Sequence, residues 1–289
     1  MSESAGNNPP SSAAPPLKKK GGKSMMIVAI VVVIAIALVA VVVLGGFLNN
    51  KTSSQNLLEK IKSKGKIVVG TQVPYPPFED YNLTTGKYVG IDMEIIQLVA
   101  DRLGVTLEIK AMDFDPLFGA VQTGVIDCAI SSITITAARQ ELQNFSVPYY
   151  VANQAVLVKE SSTISNIDGL NGTKVVAQLG TTGEGWAEEN LVDTGRIASG
   201  DLSHFSDVPA AVVTVNNGQN DAFIVDTPVA NKYSNDASYD LKIGYTIITN
   251  ENYGIMMPLN EPELKAAIDQ IITELMNDGT IQNIINKWV

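Results

Sequence analysis

Several residues suited to binding a small polar ligand directly follow short apolar runs in this sequence. Ser131, Ser132 and Thr134 come after a predicted buried strand, and Asp226 comes after the apolar run at residues 222–225. Ligands of open α/β sheets bind beyond the carboxyl ends of the strands, where these side chains would lie. The residues alone leave a second interpretation open, in which the hydroxyls bond to loop backbone and Asp226 caps a helix.

Two further groups are suited to holding an anion. Arg139 has a planar guanidinium that can donate two parallel hydrogen bonds to a carboxylate, although a surface arginine near a helix start would have the same local sequence. The Gly-Thr-Thr-Gly segment at residues 180–183 precedes a predicted helix, whose free N–H groups favour negative charge. Most such segments are ordinary N-caps, so this pattern does not decide between the two functions.

The composition argues against several kinds of chemistry. His204 is the only histidine and Cys128 the only cysteine, so the chain has no Cys/His cluster for zinc and no intramolecular disulfide. A nucleophilic hydrolase would have to be built around His204 alone. The net charge of −10 repels nucleic-acid phosphates, and a hydrophobic content of 45% excludes a disordered acidic chain. We predict no catalytic residue, metal or cofactor.

Strands and helices alternate along the chain, which predicts an α/β fold with mainly parallel sheet covered on both faces. The first set of predicted elements is a strand at 67–70, a helix at 91–103, and then 105–109 (strand), 116–123 (helix) and 125–130 (strand). The second set is a strand at 174–177, helices at 184–191 and 209–216, and a strand at 222–226. Two sets of α/β units indicate two lobes, with a cleft between them.

The N-terminal part has a different character. Residues 25–48 are 24 consecutive residues without a charge. As a helix they would span about 36 Å, enough for a hydrocarbon core of roughly 30 Å. A cleaved signal peptide is the alternative, but its apolar core is usually shorter. The lysines at residues 18–23 outnumber Lys51 beyond the span, which predicts a disordered cytoplasmic tail at 1–24, a single-pass anchor and an extracellular module after a tether at 49–56.

A set of motifs in the predicted module resembles a known family. The motifs are Tyr75-x-Pro77-Phe78-Glu79, Gly86-x-Tyr88-x-Gly90-Ile91-Asp92 and the segment 127–150, with supporting matches at 180–182, 221–226 and 253–255. They resemble the family 3 extracellular solute-binding proteins, which are the polar amino-acid receptors of ABC importers. The resemblance covers about residues 57–289.

This resemblance implies a two-lobe, periplasmic-binding-protein-like fold of type II. Lobe 1 would comprise residues 57–148 and 254–289, and lobe 2 would comprise residues 153–248. The chain would cross between the lobes at residues 149–152 and 249–253, which would form the hinges of the cleft.

The resemblance also implies roles for the polar residues. Arg139 would bind the carboxylate of a free amino acid, and Asp226 would bind its ammonium from the opposite lobe. Four hydroxyl side chains would contact the same head group: Ser131, Ser132, Thr134 and Thr182.

The side-chain end of the ligand would lie among Gln72, Tyr75, Phe114 and Gln178. Tyr75 and Phe114 would enclose its aliphatic part. Family members selective for basic amino acids often have an acidic residue at the position of Gln72. A polar neutral or acidic amino acid is therefore favoured, with glutamine as the single best candidate.

The resulting prediction is a membrane-anchored, monomeric receptor that delivers its amino acid to the permease subunits of an ABC transporter and binds no nucleic acid. Two alternatives remain. A cyclohexadienyl dehydratase-like enzyme would need a catalytic acid in the cleft. An amino-acid sensor would need a signalling partner, because the predicted cytoplasmic tail of 24 residues is too short to be a kinase.

Overall fold

A computed structural model describes residues 55–289 of the chain. The predicted tail at 1–24, the predicted anchor at 25–48 and most of the predicted tether lie outside the described residues. Among the helices of the described part, none has both the length and the apolar character needed to cross a membrane.

The first sheet consists of β1 (Lys66–Thr71), β4 (Thr106–Ala111), β5 (Cys128–Ala129), β6 (Gln143–Phe145) and β12 (Met256–Pro258). Its spatial order is β4-β1-β5-β12-β6. β1 pairs in parallel with β4 and β5, whereas β12 pairs antiparallel with β5 and β6. A separate hairpin is formed by β2 (Asp80–Asn82) and β3 (Lys87–Val89).

The second sheet consists of β7 (Tyr150–Lys159), β8 (Val175–Gln178), β9 (Leu202–Phe205), β10 (Ala222–Asp226) and β11 (Leu241–Tyr253). Its spatial order is β11-β7-β10-β8-β9. β8 pairs in parallel with β9 and β10, whereas β7 pairs antiparallel with β10 and β11. The chain therefore leaves the first sheet after β6 and returns to it at β12.

The α-helices of the described part are α1 (Leu57–Lys64), α2 (Ile91–Leu103), α3 (Pro116–Gln122), α4 (Ala137–Gln140), α5 (Thr182–Ala187), α6 (Val208–Asn216), α7 (Thr227–Ser234), α8 (Pro262–Asn277) and α9 (Thr280–Trp288). Their sequences explain where they begin and end. Gly104 ends α2 with a φ of 74°, a left-handed conformation that glycine adopts without a steric cost. α8 buries the apolar residues that its helical spacing predicts, from Leu264 to Leu275.

The chain passes between the two sheets at the start of β7 and at the end of β11, and these two segments pair with each other. The paired residues are Tyr150 with Tyr253, Val151 with Asn252, and Ala152 with Glu251. These residues fall within the predicted hinges at 149–152 and 249–253. The exact lobe and hinge boundaries remain predictions.

The prediction of a mainly parallel arrangement is wrong, because both sheets are mixed. The antiparallel strands are those where the chain passes between the sheets or returns, and neither β7 nor β11 was among the predicted strands. The strand predicted at 125–130 is reduced to Cys128–Ala129, and the helix predicted at 184–191 ends at Ala187, where a π-helical turn begins.

Candidate ligand-binding site

All ten residues predicted for the ligand-binding site line one cavity. Thr181 also lines this cavity. The predicted residues in its wall are Gln72, Tyr75, Phe114, Ser131, Ser132, Thr134, Arg139, Gln178, Thr182 and Asp226. Both sheets contribute, since these residues lie in loops after β1, β4 and β5, at the last positions of β8 and β10, or in the short helices α4 and α5.

The serines after β5 are fixed by buried hydrogen bonds. Ser131 Oγ accepts from the backbone N–H of Gln72 at 3.0 Å and donates to Glu79 Oε1 at 2.7 Å. Ser132 has a φ of 50°, and its N–H donates to Asp92 Oδ2 at 2.8 Å. The hydroxyl of Ser132 is buried and has no partner within the described residues, so it remains available to a ligand.

Arg139 lies in α4, where its guanidinium contacts both halves of the cavity. Nη1 donates to the carbonyl of Thr134 at 2.7 Å, and Nη2 donates to the carbonyl of Gly180 at 3.0 Å. The guanidinium carbon also lies 5.5 Å and 5.0 Å from the ring centres of Phe114 and Phe118, within cation–π range. Burial lowers the pKa of Arg139 to about 10, which leaves the side chain charged at neutral pH.

Asp226 ends β10 and is held by three donors. Its carboxylate accepts hydrogen bonds from the hydroxyls of Tyr75, at 2.8 Å, and of Tyr253, and from the side-chain amide of Gln154. Burial, together with the charge of Glu251, raises the pKa of Asp226 to about 6. Asp226 is therefore ionised at neutral pH and presents a negative charge to the cavity.

The two glutamines of the predicted side-chain pocket join across the cavity. Gln178 Nε2 donates to Gln72 Oε1 at 2.9 Å and to the carbonyl of Ser206 at 3.0 Å. Gln178 Oε1 is buried and has no partner among residues 55–289. This part of the cavity therefore offers amide groups and no additional charge.

Glu251, in β11, is a residue that the sequence analysis missed. Its Oε2 accepts from the hydroxyls of Thr134 at 2.7 Å and Thr182 at 2.6 Å, and its Oε1 accepts from Gln154 Nε2 at 3.0 Å. One buried carboxylate thus joins side chains from both halves of the cavity. The polar run at residues 249–252 shows no strand alternation that could have placed Glu251 here.

One group of side chains has the composition of a metal site. Glu184, Glu188 and His204 each offer a ligand atom, and these atoms lie within 4.8 Å of one another. Glu188 and His204 are exposed, and the carboxylate of Glu184 already bonds to His204 and to the N–H of Gly180. Cys128 is buried, as expected for a small apolar side chain in a strand.

The family model of the bacterial extracellular solute-binding proteins, family 3, matches residues 67–289. The chain therefore belongs to this family, and the two-lobe α/β fold of periplasmic-binding-protein type is the fold of its solved relatives.

Several relatives bind amino acids. The L-cystine-binding protein TcyJ of Escherichia coli K12 is 29% identical over 238 residues, 82% of this chain and 87% of that protein. The ABC transporter glutamine-binding protein GlnH of Bacillus subtilis is 28% identical over 244 residues, 83% and 87% of the two chains. An amino-acid ABC transporter substrate-binding protein, AbpA of Streptococcus pneumoniae, solved with L-arginine, matches with a TM-score of 0.74 and 33% identity over 79% of this chain and 96% of that one. These relatives are amino-acid-binding proteins by name, and this chain, as a member of the same family, is a solute-binding protein.

Proposed function

We propose that this chain binds one free amino acid with an uncharged polar side chain, with glutamine as the best candidate, and delivers it to the permease of an ABC importer. The observation that carries the proposal is the single cavity lined by both Arg139 and Asp226. A free amino acid has a carboxylate and an ammonium on neighbouring atoms, and this cavity offers one fixed partner for each.

The carboxylate would bind to Arg139 and to the start of α5. Arg139 has five N–H donors, and two of them contact backbone carbonyls, which leaves others for the ligand. The hydroxyl proton of Thr182 is given to Glu251, so Thr182 would hold the carboxylate through its backbone N–H, which has no acceptor within the helix.

The ammonium would bind to Asp226 and to hydroxyl oxygens beside it. Thr134 and Thr182 both donate to Glu251, so their oxygens keep only lone pairs for the ligand. An ammonium donates three hydrogen bonds and accepts none, which makes these oxygens suitable partners.

The charge of the lining supports an uncharged ligand side chain. Arg139 and Asp226 are the charged residues of the lining, and they match the two charges of the amino-acid head group. The side-chain end would face Gln72 and Gln178, whose amides can recognise a carboxamide.

Membrane anchoring is part of the proposal and is supported by the apolar run at 25–48 and the preceding lysines. Alkaline extraction of membranes tests it directly. The full-length chain should stay in the membrane pellet, and deletion of 25–48 should release it.

Calorimetric titration of the full-length protein with the twenty amino acids and with cystine tests the ligand. We expect 1:1 binding of glutamine and of few others, with arginine and cystine weaker. The absence of binding across the whole set would contradict the proposed function, and conversion of arogenate or prephenate to product would favour an enzyme instead.

A further inference from the structure

Two carboxyl groups are buried behind the cavity without a cation. Glu79 follows the loop after β1, Asp92 lies in the first turn of α2, and both residues have 0% exposed surface. Neither carboxyl takes part in a salt bridge of the described region. An unpaired buried carboxylate is costly, so two of them side by side require a compensating arrangement.

The hydrogen bonds of these groups leave one oxygen free on each. Glu79 Oε1 accepts from Ser131, and Asp92 Oδ2 accepts from the N–H of Ser132 and, at 2.9 Å, from the hydroxyl of Tyr149. Glu79 Oε2 and Asp92 Oδ1 are buried and have no partner within residues 55–289. The backbone N–H of Asp92 donates to the carbonyl of Phe78 at 3.0 Å, and the two carboxyl groups bind the consecutive residues Ser131 and Ser132, so they lie side by side.

We propose that Glu79 and Asp92 share one buried proton, which Glu79 Oε2 donates to Asp92 Oδ1, and that this pair positions Ser131 and Ser132 for the ligand. A single proton satisfies both free oxygens, whereas two ionised carboxylates in contact would repel each other. The positioning role rests on the proposed function, because it assumes that both serines contact the amino acid.

The surroundings assign the negative charge to Asp92. This carboxylate has two donors and lies at the N-terminal end of α2, where the helix dipole favours an anion. Burial, followed by the charge of Asp92, raises the pKa of Glu79 well above its ordinary value. Burial raises the pKa of Asp92 to about 6, and its hydrogen bonds oppose this rise. The pair therefore carries one proton at neutral pH.

The other titratable groups that face the pair favour the same state. Tyr75 and Tyr149 are buried, and burial raises the pKa of both well above the ordinary value, which keeps them neutral. Asp226, at the end of β10, is negative and further favours the proton on Glu79. No cation among these neighbours offsets a second negative charge.

The pair is connected to the ligand through the two serines. Ser131 donates to Glu79 and accepts from Gln72, while Asp92 holds the N–H of Ser132 in a left-handed conformation that disfavours a side chain. Loss of the shared proton would drive the two carboxylates apart and move both serines. Ligand affinity should then fall.

The test compares the full-length wild type with Glu79→Gln, Glu79→Ala and the matched surface control Glu263→Gln. Infrared spectroscopy at neutral pH reports the protonated carboxyl, and calorimetry reports glutamine affinity from neutral to alkaline pH. The amide that E79Q introduces can donate to Asp92 and accept from Ser131, so E79Q should keep the affinity to within about threefold, while E79A should lose about 10- to 100-fold.

We expect the protonated-carboxyl band in the wild type and in E263Q, and a loss of that band in E79Q. Affinity should fall at alkaline pH in the wild type and E263Q but stay level in E79Q. A wild type without the band, or an E79Q variant that binds as poorly as E79A, would overturn the inference. If the wild type binds no amino acid, the proposed function fails, and the infrared band still decides whether the buried proton exists.

Discussion

Protein groups hold both charged residues of the cavity in place. Asp226 accepts from Tyr75, Tyr253 and Gln154, and Arg139 donates to the carbonyls of Thr134 and Gly180. Side chains already held in place lose little conformational freedom on binding, so more of the interaction energy remains for affinity. In the proposed site, these fixed positions would contribute to the recognition of an amino acid.

The role of Asp226 is tested by Asp226→Asn. Asparagine keeps the shape but removes the charge, and it places an amide donor among the donors that now surround the carboxylate. Glutamine affinity should fall about 100-fold, since a buried hydrogen bond to a charged group is worth several kcal/mol when one partner is lost. Calorimetry measures the change, and Asp240→Asn, an exposed matched variant, should bind like the wild type. Equal glutamine affinities for D226N and D240N would contradict a role of Asp226 in binding the ligand.

The raised pKa of Asp226 predicts a dependence on pH. Below about 6, the carboxylate takes up a proton and glutamine affinity should fall. The folded-state pKa lies above the ordinary value, so without ligand the free energy of unfolding should decrease as pH rises from 3.8 to about 6. In D226N the decrease in the free energy of unfolding should be smaller, because the contribution of Asp226 is lost. It should not vanish, because Asp92 titrates in the same range. An identical unfolding profile for both proteins would contradict the shift.

At the scale of secondary structure, the paired strands β7 and β11 carry the connection between the two sheets. Glu251 lies in this pair and accepts hydrogen bonds from Thr134 and Thr182, which belong to opposite halves of the cavity. We expect Glu251 to stabilise the conformation in which both halves meet.

Glu251→Gln tests this role. An amide can accept from the two threonines, but its NH₂ group then faces the NH₂ group of Gln154 and leaves buried donors unpaired. Affinity for glutamine should fall about 10-fold or more, at about 1–3 kcal/mol per unsatisfied buried group. Small-angle scattering with saturating ligand should show a larger open fraction than in the wild type. Glu160→Gln, a surface variant near the end of β7, serves as the control, and identical scattering of both variants would contradict the role.

The residues that line the cavity were predicted from the sequence, whereas the residues that form hydrogen bonds with them were not. Gly/Thr, Ser/Thr and Asp residues after apolar runs stood out because strand ends place them at one edge of a sheet, and the motif resemblance assigned Arg139. Glu251, Gln154 and Tyr253 were missed, because none of them directly follows an apolar run. Their positions depend on pairing between residues about a hundred positions apart, as with Gln154 and Ile247, which no local pattern contains.

At the scale of the whole molecule, the described residues form two five-stranded sheets, and both sheets contribute residues to one cavity. Binding between two lobes stabilises a closed arrangement only through contacts that both lobes make with the ligand. Glutamine should therefore stabilise the folded protein as a whole.

Thermal unfolding measures this stabilisation. At about 100 times the dissociation constant, a ligand that binds only the native state adds about 2.7 kcal/mol. For a module of this size, that corresponds to a rise in Tm of about 5 to 10 °C. D-Glutamine at the same concentration is the matched control, and an equal rise with both enantiomers would indicate non-specific stabilisation.

The central claim is that Arg139 and Asp226 together hold the zwitterionic head group of an amino acid. Its most direct test is calorimetric titration of the full-length protein with L-glutamine, N-acetyl-L-glutamine and L-glutamine amide. The last two each lack one charge of the head group and keep the side chain. We predict 1:1 binding of L-glutamine and a loss of affinity of at least about 100-fold for each analogue. Binding of either analogue as tight as that of L-glutamine would contradict the claim.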